Sequence, residues 1–258
     1  MRADSRGVWA LIFLMASACA KEEKPVVHGD WFAGDTVLSI SDSLVIFSPV
    51  LEGLRATTRN GSDLIDDGTT ITPIPKGDDS VHVAVSVSGE AVVYKLKAPA
   101  TREARRAIQV KRIIFSALGC FGSCPVLNFE VDDQGTCYYE GTKYVKQQGM
   151  YTAQGRLDVF NLLQDKVRNI EVHRLDTLYA SPVTDAEDFL LKIYYDDEVR
   201  ETHVYGHHQE PAALRLLLMY LTGLPEYIAF QPAAAHHFET TEKIPEPTPI
   251  RFLPPQEK

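Results

Sequence analysis

Cysteine and histidine carry the most specific chemistry in this 258-residue chain, which has four of the first and eight of the second. Cys120 and Cys124 lie in Gly119-Cys120-Phe121-Gly122-Ser123-Cys124-Pro125. A loop that turns once over this spacing brings the two Cα atoms within the roughly 4.4–6.8 Å that a disulfide needs. A redox-active pair is a second reading, although reactive pairs are commonly Cys-x-x-Cys at a helix N-terminus and this one borders a strand. A zinc site would join Cys120 and Cys124 to His203, His207 or His208, but their spacing lacks a zinc-finger pattern. Cys137 reads as a buried thiol acting as a small hydrophobe, because nothing local supplies the base and orienting group of a nucleophile. No Gly-x-Ser-x-Gly, His-Glu-x-x-His or P-loop string occurs, so no catalytic residue, metal ligand or cofactor is assigned. Asp66-Asp67, Asp132-Asp133 and Asp196-Asp197 fall at turn signals without calcium-loop spacing.

The fourth cysteine belongs to an address. Arg2 and Arg6 precede the apolar run Val8–Ala18, too short to span a hydrocarbon core about 30 Å thick as a helix and suited to a signal peptide. Its end, Ala16-Ser17-Ala18-Cys19, resembles the lipobox of bacterial lipoproteins, with Ala16 in place of the more usual leucine. The resemblance implies cleavage before Cys19 and lipid attachment to it, with several acyl chains giving stable membrane anchoring. The polar tether that follows carries Lys21-Glu22-Glu23, which is similar to the surface-export signal of some Gram-negative lipoproteins. Localisation is accordingly expected at the outer membrane, on its periplasmic or its surface-exposed side. An exported chain meets an oxidising compartment, which favours a Cys120–Cys124 bond.

Charge and composition narrow the partners. A net charge of −9 argues against nucleic acid and against attraction to anionic headgroups, so membrane association is assigned to the lipid. Sixteen glycines and fifteen prolines without a period exclude a collagen-like chain. At about 150 residues per domain the length suits one large or two small domains.

The elements that position these residues follow from periodicity. Residues 1–18 form the signal peptide and 19–28 the tether. From 29 to 98 short alternating runs at Thr36–Ile40, Leu44–Phe47, Gly53–Thr58 and Val81–Leu96 are split by turn residues and predict a small antiparallel β-meander. Residues 99–111 are read as a linker whose basic stretch, Arg102 to Arg112, suits a solvated helix better than a phosphate-binding arm. Residues 112–230 predict an α+β domain. Strand Ile113–Leu118 leads into the cysteine loop; a hairpin follows with Leu127, Phe129 and Val131 answered by Cys137 and Tyr139, then a short strand near Lys143–Lys146. Leu157, Phe160, Leu163, Val167 and Ile170 mark one stripe of a helix over 153–170. Strands Phe189–Tyr195 and Val199–Tyr205 and a helix from Pro211 to Thr222 repeat the strand-strand-helix order, which places two helices on one face of an antiparallel sheet. The proline-rich stretch 231–258 predicts an extended, flexible tail.

Two further resemblances rest on these residues. Gly29-Asp30-Trp31 and the strand order after it look like half of a lipocalin-type barrel, which would imply a small-ligand carrier. The Gly-Cys-Phe-Gly-x-Cys-Pro string, the hairpin with Tyr139-Glu140-Gly141, and Thr184-Asp185 resemble a family of bacterial secreted proteins and lipoproteins built on a domain of unknown function, over about Arg112 to Leu224. Leu127 stands where that family usually has tyrosine, and Cys137 where it usually has an aliphatic residue. The family brings no activity with it. The expectation is therefore a non-enzymatic, lipid-anchored envelope protein that binds an envelope partner, with the ligand carrier and the thiol-redox or zinc protein as alternatives.

Overall fold

The computed structural model describes residues 29–33, 36–40, 45–48, 58–60, 63–66, 69–76, 80–87, 90–98, 107–207 and 209–240. Cys19, the tether, the basic residues 102–106 and His208 lie outside them. Eight antiparallel strands make the first sheet: β1 (Gly29–Ala33), β2 (Thr36–Ile40), β3 (Val45–Ser48), β4 (Thr58–Asn60), β5 (Asp63–Asp66), β6 (Thr69–Pro75), β7 (Ser80–Val87) and β8 (Glu90–Lys97). Their order is β3-β2-β1-β8-β7-β6-β5-β4, a half-barrel built of hairpins and joined where Phe32 of β1 meets Lys97 of β8. Alternation sorts its two faces. Trp31, Leu38, Ile40, Val81, Val83 and Leu96 form one buried cluster, while Asp30, Ser39 and Phe32 point the other way, Phe32 into the main core.

The second sheet holds β9 (Val110–Gly119), β10 (Val126–Asp132), β11 (Cys137–Lys143), β12 (Gly149–Ala153), β13 (Leu178–Ala180), β14 (Asp188–Tyr195), β15 (Glu198–Tyr205) and β16 (Gln231–Pro232). The order is β13-β15-β14-β9-β10-β11-β12-β16, antiparallel except for the short β13–β15 pair. Helices α1 (Leu157–Arg168) and α2 (Ala212–Gly223) join one core with the inward residues of β9, β10, β11 and β14, the α+β arrangement the patterning predicts. Both helices are too short to cross a membrane, and no described helix is long and apolar enough to do so.

Several boundaries differ from the sequence reading for physical reasons. Strand β9 starts at Val110 and Ile108 is buried with the core, so the domain begins inside the expected linker; residues 107–109 are not helical. The strand placed near Lys143–Lys146 is β12 at Gly149–Ala153. Tyr144 has a positive φ of 53° in the intervening bend, and a Cβ on Gly141 would lie 2.0 Å from the Gln147 carbonyl, so this crossing requires glycine. Because β12 runs to Ala153 and Gly155 adopts φ 69°, α1 starts at Leu157 rather than 153. Leu157 is consequently exposed, and Val159 joins Phe160, Leu163 and Val167 on the buried side.

The expected free tail also needs correction as far as residue 240. Gln231 and Pro232 pair with β12, and the chain then crosses the outer face of the second sheet. His236 stacks on Tyr138 at 3.7 Å and bonds to Glu130, Glu239 accepts from Arg112 at 2.9 Å and from Tyr194, and Thr240 meets Ser116. Beneath this strap Ile114 and Leu190, on the face away from the helices, are buried, as is Phe238 of the strap itself. Pro232, the one proline of the tail among the described residues, sits in the edge strand β16, which extended backbone suits.

Candidate functional site

Strands β9 and β14 run antiparallel, so the end of one and the start of the other share a rim. Asp188 pairs with Gly119 on one side and with Tyr205 on the other. Gly119 has φ 92°, and a Cβ there would lie 2.9 Å from Val126, so glycine is required where the chain leaves the sheet. Cys120 and Cys124 form a disulfide with Cα atoms 5.5 Å apart, and the Gly122 N–H donates to Cys120 Sγ at 3.2 Å. This bond excludes the zinc reading, since neither sulfur is available as a thiolate ligand. It also forces the intervening residues outward: Phe121 is 87% exposed, the largest exposure among the large apolar side chains described.

Beside this knuckle stands the loop before β14. Pro182, Val183, Thr184 and Asp185 are all exposed, and Asp185 holds a left-handed φ of 63°. Its base is fixed by Gly206, whose absent Cβ leaves room for Val183, Ser181 and Ala186, and by the Gly206 N–H, which donates to the Glu187 carbonyl. Ser181 donates to the His207 carbonyl.

Under the two loops the sequence hid a charged cluster. His207 lies between Glu210, 2.9 Å from Nδ1, and Glu187, 3.1 Å from Nε2, and its ring packs against Phe189. Arg215 Nε donates to Glu210 at 2.7 Å, with both side chains buried. Burial alone would discharge His207, but the hydrogen bonds and charges of the two glutamates outweigh it and push its pKa up to about 9. Both ring nitrogens therefore donate at neutral pH. Burial works in the opposite direction on Glu210 and is outweighed by His207 and Arg215, which hold that carboxyl below its usual range. His203 is bonded to Asp188 and His207 to the two glutamates, so neither turns toward the sulfurs, and among the described residues no group of three or more His, Cys, Asp or Glu is placed to hold a metal ion. His208 lies outside the described residues.

Cys137 is fully buried, and burial pushes its thiol up to about 12, with Asp132 and Asp158 adding to the rise and Arg156 opposing it. It stays protonated at neutral pH, as the hydrophobe reading requires. The acidic turn pairs are structural where described: Asp132 accepts from the Gln134 and Thr136 N–H groups, and Asp196 from that of Gln109.

The rim, the cluster and both helices fall within one matched segment. A DUF6438 domain is found at residues 111–225. The match is to a domain of unknown function and covers β9 through α2. No curated protein matches the chain. Within the DUF6438 domain the cysteine loop was legible from its spacing, whereas the His207 cluster was not. One signal was available: Arg215 is the one charged residue in the otherwise apolar stretch Ala212–Leu221, and an arginine so placed requires a buried partner.

Proposed function

We propose that this chain is a non-enzymatic binding module of the bacterial cell envelope, anchored by lipid at Cys19 and engaging an envelope protein through the rim of its second sheet. The observation that carries the reading is Phe121, an aromatic side chain held almost fully in solvent at the tip of a disulfide-closed loop. Exposing an aromatic ring is unfavourable by itself, and such a ring on a preorganised loop suits a binding hot spot, because little side-chain or loop entropy is lost on docking. The lipobox-like Ala16-Ser17-Ala18-Cys19 supports the anchor and the address. The carrier alternative draws less support, since among the described residues of the half-barrel Trp31, Leu38, Ile40, Val81, Val83 and Leu96 bury one another.

The experiment is in-cell photocrosslinking with a benzophenone amino acid at position 121, with position 174, exposed on the connection after α1, as the control. A discrete protein adduct from 121 and none from 174 is expected. Equal adducts at both, or none at either, would overturn the reading. In parallel, Cys19→Ser should move the protein from the membrane to the soluble fraction and abolish acyl labelling; unchanged partitioning removes the anchor.

A further inference from the structure

We infer that the rim docks on a protein surface that offers an apolar pocket bordered by lysine or arginine side chains. The inference rests on the binding-module reading and adds the chemistry of the partner. Two protruding loops define the contact. Phe121 and Val183 supply the exposed apolar groups, one from each loop, and the Gly119–Asp188 pairing places the bases of those loops on adjacent strands at the same end of the sheet. Acidic side chains outnumber basic ones around them. Asp185, Glu187, Asp188 and Glu210 stand there, and segments 117–126, 178–191 and 203–214 contain no lysine or arginine. The described basic side chains facing these acids are His207, held between Glu187 and Glu210, Arg215 behind Glu210, and His203 on Asp188. Asp185 is exposed, and Glu187 keeps about a third of its side chain in water, so the rim presents acid to an approaching surface.

That combination selects among partners. An aromatic knuckle alone would suit a lipid bilayer as well as a protein pocket. The acidic border, together with a chain charge of −9, disfavours approach to anionic headgroups, whereas a cationic protein rim gains both on-rate and orientation. Phe121 is then the buried anchor and the acids are the steering border. Loss of the anchor should show mainly as faster dissociation, and loss of a border charge mainly as slower association.

The test uses the mature chain with Cys19→Ser, which carries no acyl anchor, and three surfaces: native envelope vesicles, the same vesicles after protease treatment, and protein-free vesicles of phosphatidylcholine or phosphatidylglycerol. Binding to native vesicles alone is expected. Phe121→Ser should lower the affinity by about tenfold or more, as for a central aromatic hot spot. Asp185→Asn, which tolerates the left-handed backbone, should slow association several-fold, and raising salt should weaken wild-type binding and shrink that difference. Binding to protein-free vesicles, or survival of binding after protease treatment, makes the knuckle a lipid contact and overturns the inference. Loss with Phe121→Ser but no response to salt or to Asp185→Asn overturns the cationic partner while leaving the binding module standing. Binding unaffected by Phe121→Ser overturns both, and circular dichroism of each variant separates misfolding from lost contact.

Discussion

Lys166 of α1 and Asp30 of β1, 136 positions apart, form an ion pair with 8% and 7% of their side chains exposed. The pair closes a polar network between the half-barrel and the helices. Asn169 donates to the second Asp30 oxygen at 2.8 Å, Ser39 bridges to Asp30 at 2.6 Å, and Tyr220 of α2 lies 2.8 Å from Ser39. Lys166 also sits 4.7 Å from the centre of the Tyr220 ring. Removing one partner leaves a buried charge without its counterion, so Lys166→Ala should cost about 3–5 kcal/mol. Arg174→Ala, which breaks an exposed pair with Glu171, should cost under about 1 kcal/mol. Urea unfolding of both variants checks the contrast; equal effects would show that the network does not hold the two sheets together.

Stability should also depend on pH through His207. Its folded pKa of about 9 lies above the ordinary 6.5, so its contribution is fully present below about pH 6.5 and is lost as pH rises through 9. At 1.36 kcal/mol per pH unit the contribution is at most roughly 3 kcal/mol. Glu210 acts with the opposite sign: its lowered pKa gives stability that is present above its usual value near 4.5 and is lost as pH falls. Thermal unfolding from pH 5 to 10 should therefore decline above about pH 7 in the wild type. A flatter alkaline limb is expected for His207→Gln, and an unchanged profile would show that the cluster is not coupled to folding.

The disulfide should matter more to the shape of the rim than to global stability. A loop of this length gives about 2 kcal/mol by chain entropy, less than a long loop would. The Cys120→Ser/Cys124→Ser double variant should keep its fold with a modest loss of stability and bind native envelope vesicles more weakly. Alkylation followed by intact mass should find Cys137 unreactive in the native protein and modified once it is denatured, because its thiol is buried with a pKa of about 12. Ready native modification of Cys137 would contradict its placement.

Phe238 offers a test of the strap. It is buried on the outer face of the second sheet, and Phe238→Ala should cost about 3–5 kcal/mol, the range for a buried aromatic. Truncation after Phe230 should cost more, because it also uncovers Ile114 and removes Glu239 from Arg112. Denaturant midpoints of the two variants decide this; a truncated chain as stable as the wild type would show the strap to be dispensable.

What the sequence made legible was burial with a short period. Leu127, Phe129 and Val131 against Cys137 and Tyr139 mark a hairpin because alternation reports the face, and that hairpin is β10–β11. Phe160, Leu163 and Val167 mark α1 for the same reason at helical spacing. The start of α1 was hidden because Ala153 and Gly155 do not advertise a strand end. Asp30, Lys166 and Glu239 gave no signal of these pairings: each is an ordinary charged residue whose counterion, Lys166 for Asp30 and Arg112 for Glu239, lies more than a hundred positions away, and periodicity carries no information on such partners. The candidate site was half visible. The cysteine spacing marked the loop, but that Phe121 would point outward and His207 would sit between two glutamates depends on the packing of β9, β14 and α2 together.

The strap gives this fold an order of assembly. Arg112, on a strand made early, finds Glu239 only after 127 further residues have emerged, and Ser116 waits as long for Thr240. The half-barrel likewise offers Asp30 and Ser39 long before Lys166 and Tyr220 exist to meet them. A chain synthesised N-terminus first therefore leaves Asp30 without its counterion until Lys166 has emerged, and leaves Ile114 uncovered until the strap has followed. The segment past Phe230, emerging last, completes the closure over the second sheet.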